Sequence, residues 1–252
     1  MSQRLEEISW QEYDQKKVDV AIIPVGSVEQ HGYHLPLGTD SYVAKLLAEE
    51  AADKSGAIVT PPVWFGWSPH HMALPGTVTV RAEVLIEYVY DIIESLHTHG
   101  CKNFILLNGH RIVNIAWMQI AAQRAQSKLK AKVVIFDPGY MSRDANLNCG
   151  PLGHSEEIET SHMLHILPNL VHMEKAVDNP APPVNLYSVD PRYPHDTLCY
   201  VPATVEHIAQ AGKVAGGTTG SPTKSSAELG KKYHEHVMGR LLQVIENLKC
   251  EK

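Results

Sequence analysis

The sequence predicts an α/β fold of three layers, α/β/α, with helices on both faces of a mostly parallel sheet. Three observations predict it. VDVAIIPVG at 18–26, NFILLNG at 103–109 and KVVIFDPG at 132–139 are short, near-continuous apolar runs, the pattern of strands covered on both faces. Helical periodicities lie between and after them, and such alternation builds a doubly wound sheet. With 252 residues, 44% of them apolar and 20% charged, the chain has the size and apolar content of one large α/β domain spanning residues 1–252.

The elements follow in chain order. After the first strand comes a turn-rich loop, then SYVAKLLAEEAADK at 41–54, with Val43, Leu46, Leu47 and Ala51 at helical spacing and Gly56 just beyond. Asp40 precedes this helix, where a capping carboxylate would sit. AIVTPPV at 57–63 reads as a weaker fourth strand, because its two prolines remove ladder donors. Further helices are expected over 82–99, stopped by Gly100, over 112–129, over 157–167, stopped by Pro168, and over 224–248. Between them, 178–222 is rich in Pro, Gly and polar residues. A loop this long inside a domain reads as a lid or subunit contact rather than a linker.

Composition excludes several classes of function. A net charge of -6 without clustered Lys and Arg argues against a nucleic-acid partner. Cys101, Cys149, Cys199 and Cys250 stand far apart with no C-x-x-C pair, which suits reduced cytosolic thiols. The charged N-terminal stretch lacks an apolar signal core, and no run approaches the roughly 18 apolar residues of a membrane span. A cytoplasmic protein with no membrane partner is the expectation. G-x-S-x-G is absent, no G-x-G-x-x-G follows a strand, and GGTTGSPTK lacks the Walker spacing.

SVEQHGYHLPLGTD at 27–40 crowds Glu29, His31, His34 and Asp40 beside a turn. Ligands of open α/β sheets bind beyond the carboxyl ends of the strands. Glu29, His31 and Asp40 follow the first strand and His110 follows NFILLNG, so all four project toward one edge. Glu29 and His31 are two apart and leave an extended backbone on the same side. In GHSEEIETS at 153–161, Glu156 and Glu159 share a helical face, and either could close a metal site. Imidazoles and carboxylates without thiolate suit zinc or manganese in an open catalytic centre. Taken singly, Asp40 is a helix cap, His110 a loop histidine, and Glu156 or Glu157 a carboxylate favoured by a helix N-terminus. Their joint placement at one edge favours the metal site. His70 and His71 read as lip residues, and His97, His99, His234 and His236 as solvated helix positions.

GSVEQHGYHLPLGTD resembles the signature of the creatininase (creatinine amidohydrolase) family, NGH at 108–110 resembles its second motif and EEIETS at 156–161 its third. LPGTVTV at 74–80 and GGTTGSPTKSSAELG at 216–230 are weaker echoes. The resemblance implies a creatininase-like fold, often assembled as a hexamer, with two ions per subunit, zinc or manganese. Glu29 and His110 would hold one ion, His31 and Glu159 the other, with Asp40 bridging and His154 donating a proton. Paired ions of this kind activate water and polarise a carbonyl. There are departures. This chain reads NGHRIVN where many members read NGHGGN, and Ile112 stands where creatininases carry a carboxylate. FDPGYMSRD and CGPLGHSEE contain none of the tryptophans that surround creatinine. Arg111, Tyr140, Arg143 and Glu156 near the edge instead suit a more oxygenated substrate.

The expectation is a homo-oligomeric, metal-dependent hydrolase of a small polar cyclic carbonyl compound, acting as a creatininase-like amidohydrolase on C-N bonds. The alternative within the enzymes is hydrolytic C-C ring opening of a cyclic diketone such as a keto-inositol, the 3-dehydro-scyllo-inosose hydrolase type. The alternative from another class is an inactive metal- or sugar-binding subunit.

Overall fold

The structure, a computed structural model, describes residues 2–180 and 202–250. Four strands, β1 (Val20–Val25), β2 (Ile58–Val59), β3 (Asn103–Asn108) and β4 (Lys132–Phe136), form one sheet in the order β2-β1-β3-β4. Every pairing in it is parallel. Eight α-helices accompany them among the described residues: α1 (Trp10–Lys16), α2 (Thr39–Ser55), α3 (Ala82–Thr98), α4 (Ile115–Leu129), α5 (Pro138–Met141), α6 (Glu157–Ile166), α7 (Val205–Ala215) and α8 (Ala227–Cys250).

The alternation of side chains along a strand assigns the layers. Ala21, Ile23 and Val25 of β1, with Phe104 and Leu106 of β3, face α3 and α4. Val20 and Ile22, with Ile105 and Leu107, face α2 and α8. On α3, Leu85, Ile86, Val89, Ile93 and Leu96 form the buried stripe, each such side chain stabilising the fold by about 1.5–3 kcal/mol. No described helix is long and apolar enough to cross a membrane.

Three sequence expectations are corrected by the structure. The strand read over 57–63 shrinks to Ile58–Val59, because Pro61 and Pro62 cannot donate to a ladder. The stretch 178–222, read as one long loop, contains α7, held by a capping box between Thr204 and His207 and closed by Gly216 in the left-handed conformation. Packed against α7 is the 3-10 turn Pro69–Ala73. Residues 181–201 of the expected loop lie outside the described part. The helix read from 112 begins at Ile115, after a turn in which Ile112 takes φ 63°.

The pairing of β1 with β3 runs from Val20 with Asn103 to Val25 with Asn108. Both strands therefore end at one level, and the segments after them emerge side by side. Gly26 and Gly109 let the N-terminus of α2 sit directly over these ends. A Cβ on Gly26 would lie 2.3 Å from Ser41 Cα, and one on Gly109 would lie 2.1 Å from the Asp40 carbonyl oxygen.

Candidate metal centre

Asp40 stands at the middle of a buried polar cluster. Its Oδ1 is 3.1 Å from His31 Nε2 and its Oδ2 is 3.0 Å from His110 Nδ1. Beyond His31 lies Glu159, with Oε1 3.6 Å from His31 Nε2. Beyond His110 lies Glu29, with Oε2 3.2 Å from His110 Nε2. The N-cap of α2 is Gly38 and Asp40 lies within the first turn, so Asp40 is not the capping residue that its place before the helix suggested.

The same residues fall into overlapping trios whose ligand atoms lie within 4.8 Å of one another: Glu29, Asp40 and His110; His31, Asp40 and Glu159; and Glu29, His31 and His154. Glu29 Oε1 and Asp40 Oδ2 are buried with no hydrogen bond, although His110 Nδ1 is close to the latter. Buried carboxylate oxygens without partners are costly unless a cation or donor reaches them. Carboxylates and imidazoles with no sulfur are the donor set of zinc or manganese. The side chains present therefore fit a pair of divalent ions sharing Asp40.

Local hydrogen bonds aim these groups. His31 Nδ1 donates to its neighbour's carbonyl, Glu29 O, at 3.1 Å, which leaves Nε2 for the centre. The loop that carries them is pinned by Glu29 N to Leu37 O and by Val78 N to Val28 O, each 2.9 Å. Asn108 accepts from the His110 backbone at 3.1 Å and donates to Asp137 at 2.9 Å, fixing the turn after β3. His154 Nε2 donates to the Gln30 carbonyl at 2.6 Å, and its Nδ1 faces Glu29 Oε1 at 3.8 Å.

Electrostatics follow from this packing. Burial, reinforced by Asp40, raises the Glu29 carboxyl to about 7 against the pull of His110. For Asp40 burial acts in the same direction, but His31 and His110 outweigh it and hold its carboxyl below the usual carboxylate range. Burial lowers the His31 imidazole, yet Asp40 and Glu159 carry it well above the ordinary value. Burial, then His31, brings His154 down to about 4.

The structure thus brings Glu29, His31, Asp40, His110, Glu159 and His154 to one place. The four residues read as substrate contacts are not brought together. Arg111 and Glu156 border a cavity of about 60 Å³ beside Glu159. The Glu156 carboxylate caps α6, accepting from Ile158 N at 2.6 Å and Glu159 N at 3.2 Å. Tyr140 and Arg143 do not border that cavity, and Arg143 is exposed.

His71 was missed. Read as a lip residue, it is buried, with Nε2 3.3 Å from Glu29 Oε1 and Nδ1 2.8 Å from Gln30 Nε2. Ser68 belongs to the same shell, with Oγ 2.6 Å from Ser27 Oγ and 3.3 Å from His110 Nε2. The available signal for His71 was its place in SPHHMALPGTVTV, three residues before LPGTVTV, a weaker echo of the family.

Comparison with known proteins adds a family. The model of the creatinine amidohydrolase (creatininase) family matches residues 6–245. A 3-dehydro-scyllo-inosose hydrolase of Thermotoga maritima is 34% identical over 185 residues, 65% of this chain and 55% of that protein. The chain thus spans little more than half the length of that relative. A creatinine amidohydrolase of Pseudomonas putida is 27% identical over 217 residues, 73% of this chain and 81% of that protein. Among solved structures, a manganese creatininase superposes with a TM-score of 0.78 at 26% identity, covering 98% of both chains.

Proposed function

Because the chain belongs to the creatininase family, we propose that it is a metal-dependent hydrolase that opens a small, polar, cyclic carbonyl compound. One observation carries this reading: Asp40 presents one carboxylate oxygen to His31 and the other to His110, with Glu159 and Glu29 on the outer sides. Glu29 and His110 would hold one ion, His31 and Glu159 the other, and Asp40 both. Two cations there would activate a water molecule and polarise the carbonyl it attacks.

The chain's own groups supply orientation and proton transfer. His154 is neutral, since burial lowers it to about 4. Its Nε2–H is held by the Gln30 carbonyl, so Nδ1 carries the lone pair and faces the centre. His154 can therefore take a proton at Nδ1 and return it to the leaving atom, acting as base and then acid. Gln30 holds His154 through its carbonyl and donates from Nε2 to His71 Nδ1, and His71 Nε2 faces Glu29.

Two bond types fit. Cleavage of an amide C-N bond follows the creatinine amidohydrolase relative. Cleavage of a C-C bond in a hydroxylated cyclic ketone is supported by the polar groups set into the cavity beside Glu159 and by the lack of tryptophan around it. Most of the wall is apolar, its polar groups include Asn108, Arg111, Asp137, Glu159 and His162, and none of Trp10, Trp64, Trp67 and Trp117 borders it. The inosose hydrolase relative supports the same reading.

A screen against lactams, formamides, short peptides and keto-inositols, each with zinc and with manganese, tests the proposal. Turnover of a ring compound that ceases on chelation is the expected result. Ligand binding with no turnover under either metal would make the chain a binding subunit.

A further inference from the structure

The seam between α6 and α8 buries a second histidine group. His162 Nε2 lies 3.0 Å from His234 Nδ1, and His234 Nε2 lies 2.8 Å from Glu50 Oε2. Lys54 pairs with the same Glu50 carboxylate, and the His165 ring packs on His234 with centroids 5.2 Å apart. With neutral rings these bonds have a single consistent proton arrangement. A carboxylate only accepts, so His234 carries its hydrogen on Nε2 and offers a lone pair at Nδ1. His162 then donates from Nε2, and its own Nδ1 keeps a lone pair. Burial, with His234 and His165 nearby, pushes His162 down to about 3, so the ring is neutral at physiological pH.

His162 also borders the cavity beside Glu159, together with Arg111, Asn108, Asp137 and Tyr233. With Nε2 engaged by His234, Nδ1 is the polar ring atom that His162 has for this space, and no described residue bonds it. A volume of about 60 Å³ suits the hydroxylated edge of a small ring. A site built around a buried acceptor discriminates strongly against analogues that lack the donor.

We propose that His162 Nδ1 accepts a hydrogen bond from a hydroxyl group of the substrate, in a subsite next to Glu159. His234 and Glu50 are positioning residues that fix the His162 tautomer. The proposal rests on the reading of this cavity as part of a hydrolase site, and it narrows the substrate to a hydroxyl-bearing ring.

Calorimetric titration of the manganese-loaded full chain with myo-inositol and with cyclohexanone tests it. His162→Leu should weaken myo-inositol binding about tenfold and leave cyclohexanone binding unchanged. His162→Asn, whose amide oxygen reaches near the Nδ1 position, should restore most of the loss. Metal content and thermal unfolding confirm that each variant is folded. Histidine 15N NMR should show His162 as the Nε2–H tautomer, with its Nδ1 resonance moving on addition of myo-inositol, and Glu50→Leu should disturb that tautomer.

Equal myo-inositol affinity in the wild type and His162→Leu, or an Nδ1–H tautomer, overturns the proposal. If ring compounds are hydrolysed but His162→Leu changes neither binding nor KM, the subsite fails and the hydrolase reading stands. If myo-inositol binding depends on His162 while no compound is turned over, the hydrolase reading fails and the subsite stands.

Discussion

Two regions of this molecule bury histidines against carboxylates, and they differ in what those carboxylates do. At the sheet edge His31, His71, His110 and His154 meet Glu29, Asp40 and Glu159. At the α6–α8 seam His162, His165 and His234 meet the half-exposed Glu50. The edge leaves the buried Glu29 Oε1 and Asp40 Oδ2 without hydrogen bonds, and its acids carry His31 and His110 above the ordinary imidazole value. The seam passes each bond from ring to ring to a single acid, and His162 and His165 fall below that value. The difference teaches that several buried acids with unbonded oxygens, rather than the number of histidines, mark a place for cations.

The largest effect that would break this comparison is at Asp40. Asp40→Ala should remove both ions and at least about a thousandfold of kcat, read by elemental analysis and assay. Retention of both ions would reduce Asp40 to an ordinary residue of the first turn of α2. Next comes His71, whose replacement by Leu should lower activity about 10–100-fold while elemental analysis still finds both ions.

The pH dependence sharpens the contrast. Glu29 is raised to about 7, so below that pH a proton occupies the carboxylate a cation needs. Apparent metal affinity should fall about tenfold per pH unit below 7 for that single proton, measured by competition with a chelator. In the metal-free chain the sign is that of a raised acid. The contribution of Glu29 to stability is present while it is protonated and fades as pH climbs from its ordinary 4.5 to about 7.

Smaller changes are expected elsewhere. His234→Ala strands His162 Nε2, and urea denaturation should show a loss of about 1–3 kcal/mol with metal content unchanged. Ile112→Gly should stabilise by about 1 kcal/mol in the same measurement, because a β-branched residue at φ 63° is strained.

Legibility in the sequence followed locality. The strand ends and Glu29, His31, Asp40 and His110 were readable because each lies within a few residues of an apolar run that fixes its direction. Glu159 was readable as one of two acids on a helical face, and geometry chose between them, since Glu156 turns back to cap α6. His71 was not readable, because Pro69–Ala73 is a 3-10 turn that brings it 41 residues along the chain to Gln30. His234 was taken for a solvated position, yet it is buried by its pairing with His162, a partner that helical periodicity alone does not reveal. The helix α7 was hidden by the Pro- and Gly-rich composition around it, although Thr204 and Gly216 carry its start and stop signals. Arg143 and Tyr140 were placed by nearness in sequence to β4, and the turn after that strand leaves Arg143 exposed.

The most direct measurement is an anomalous difference map from crystals of the full chain grown with manganese. Two peaks roughly 3.5–4 Å apart, one between Glu29 and His110 and the other between His31 and Glu159, with Asp40 reaching both, are the predicted result. A single peak, or peaks away from Asp40, would contradict a dinuclear centre at this edge of the sheet.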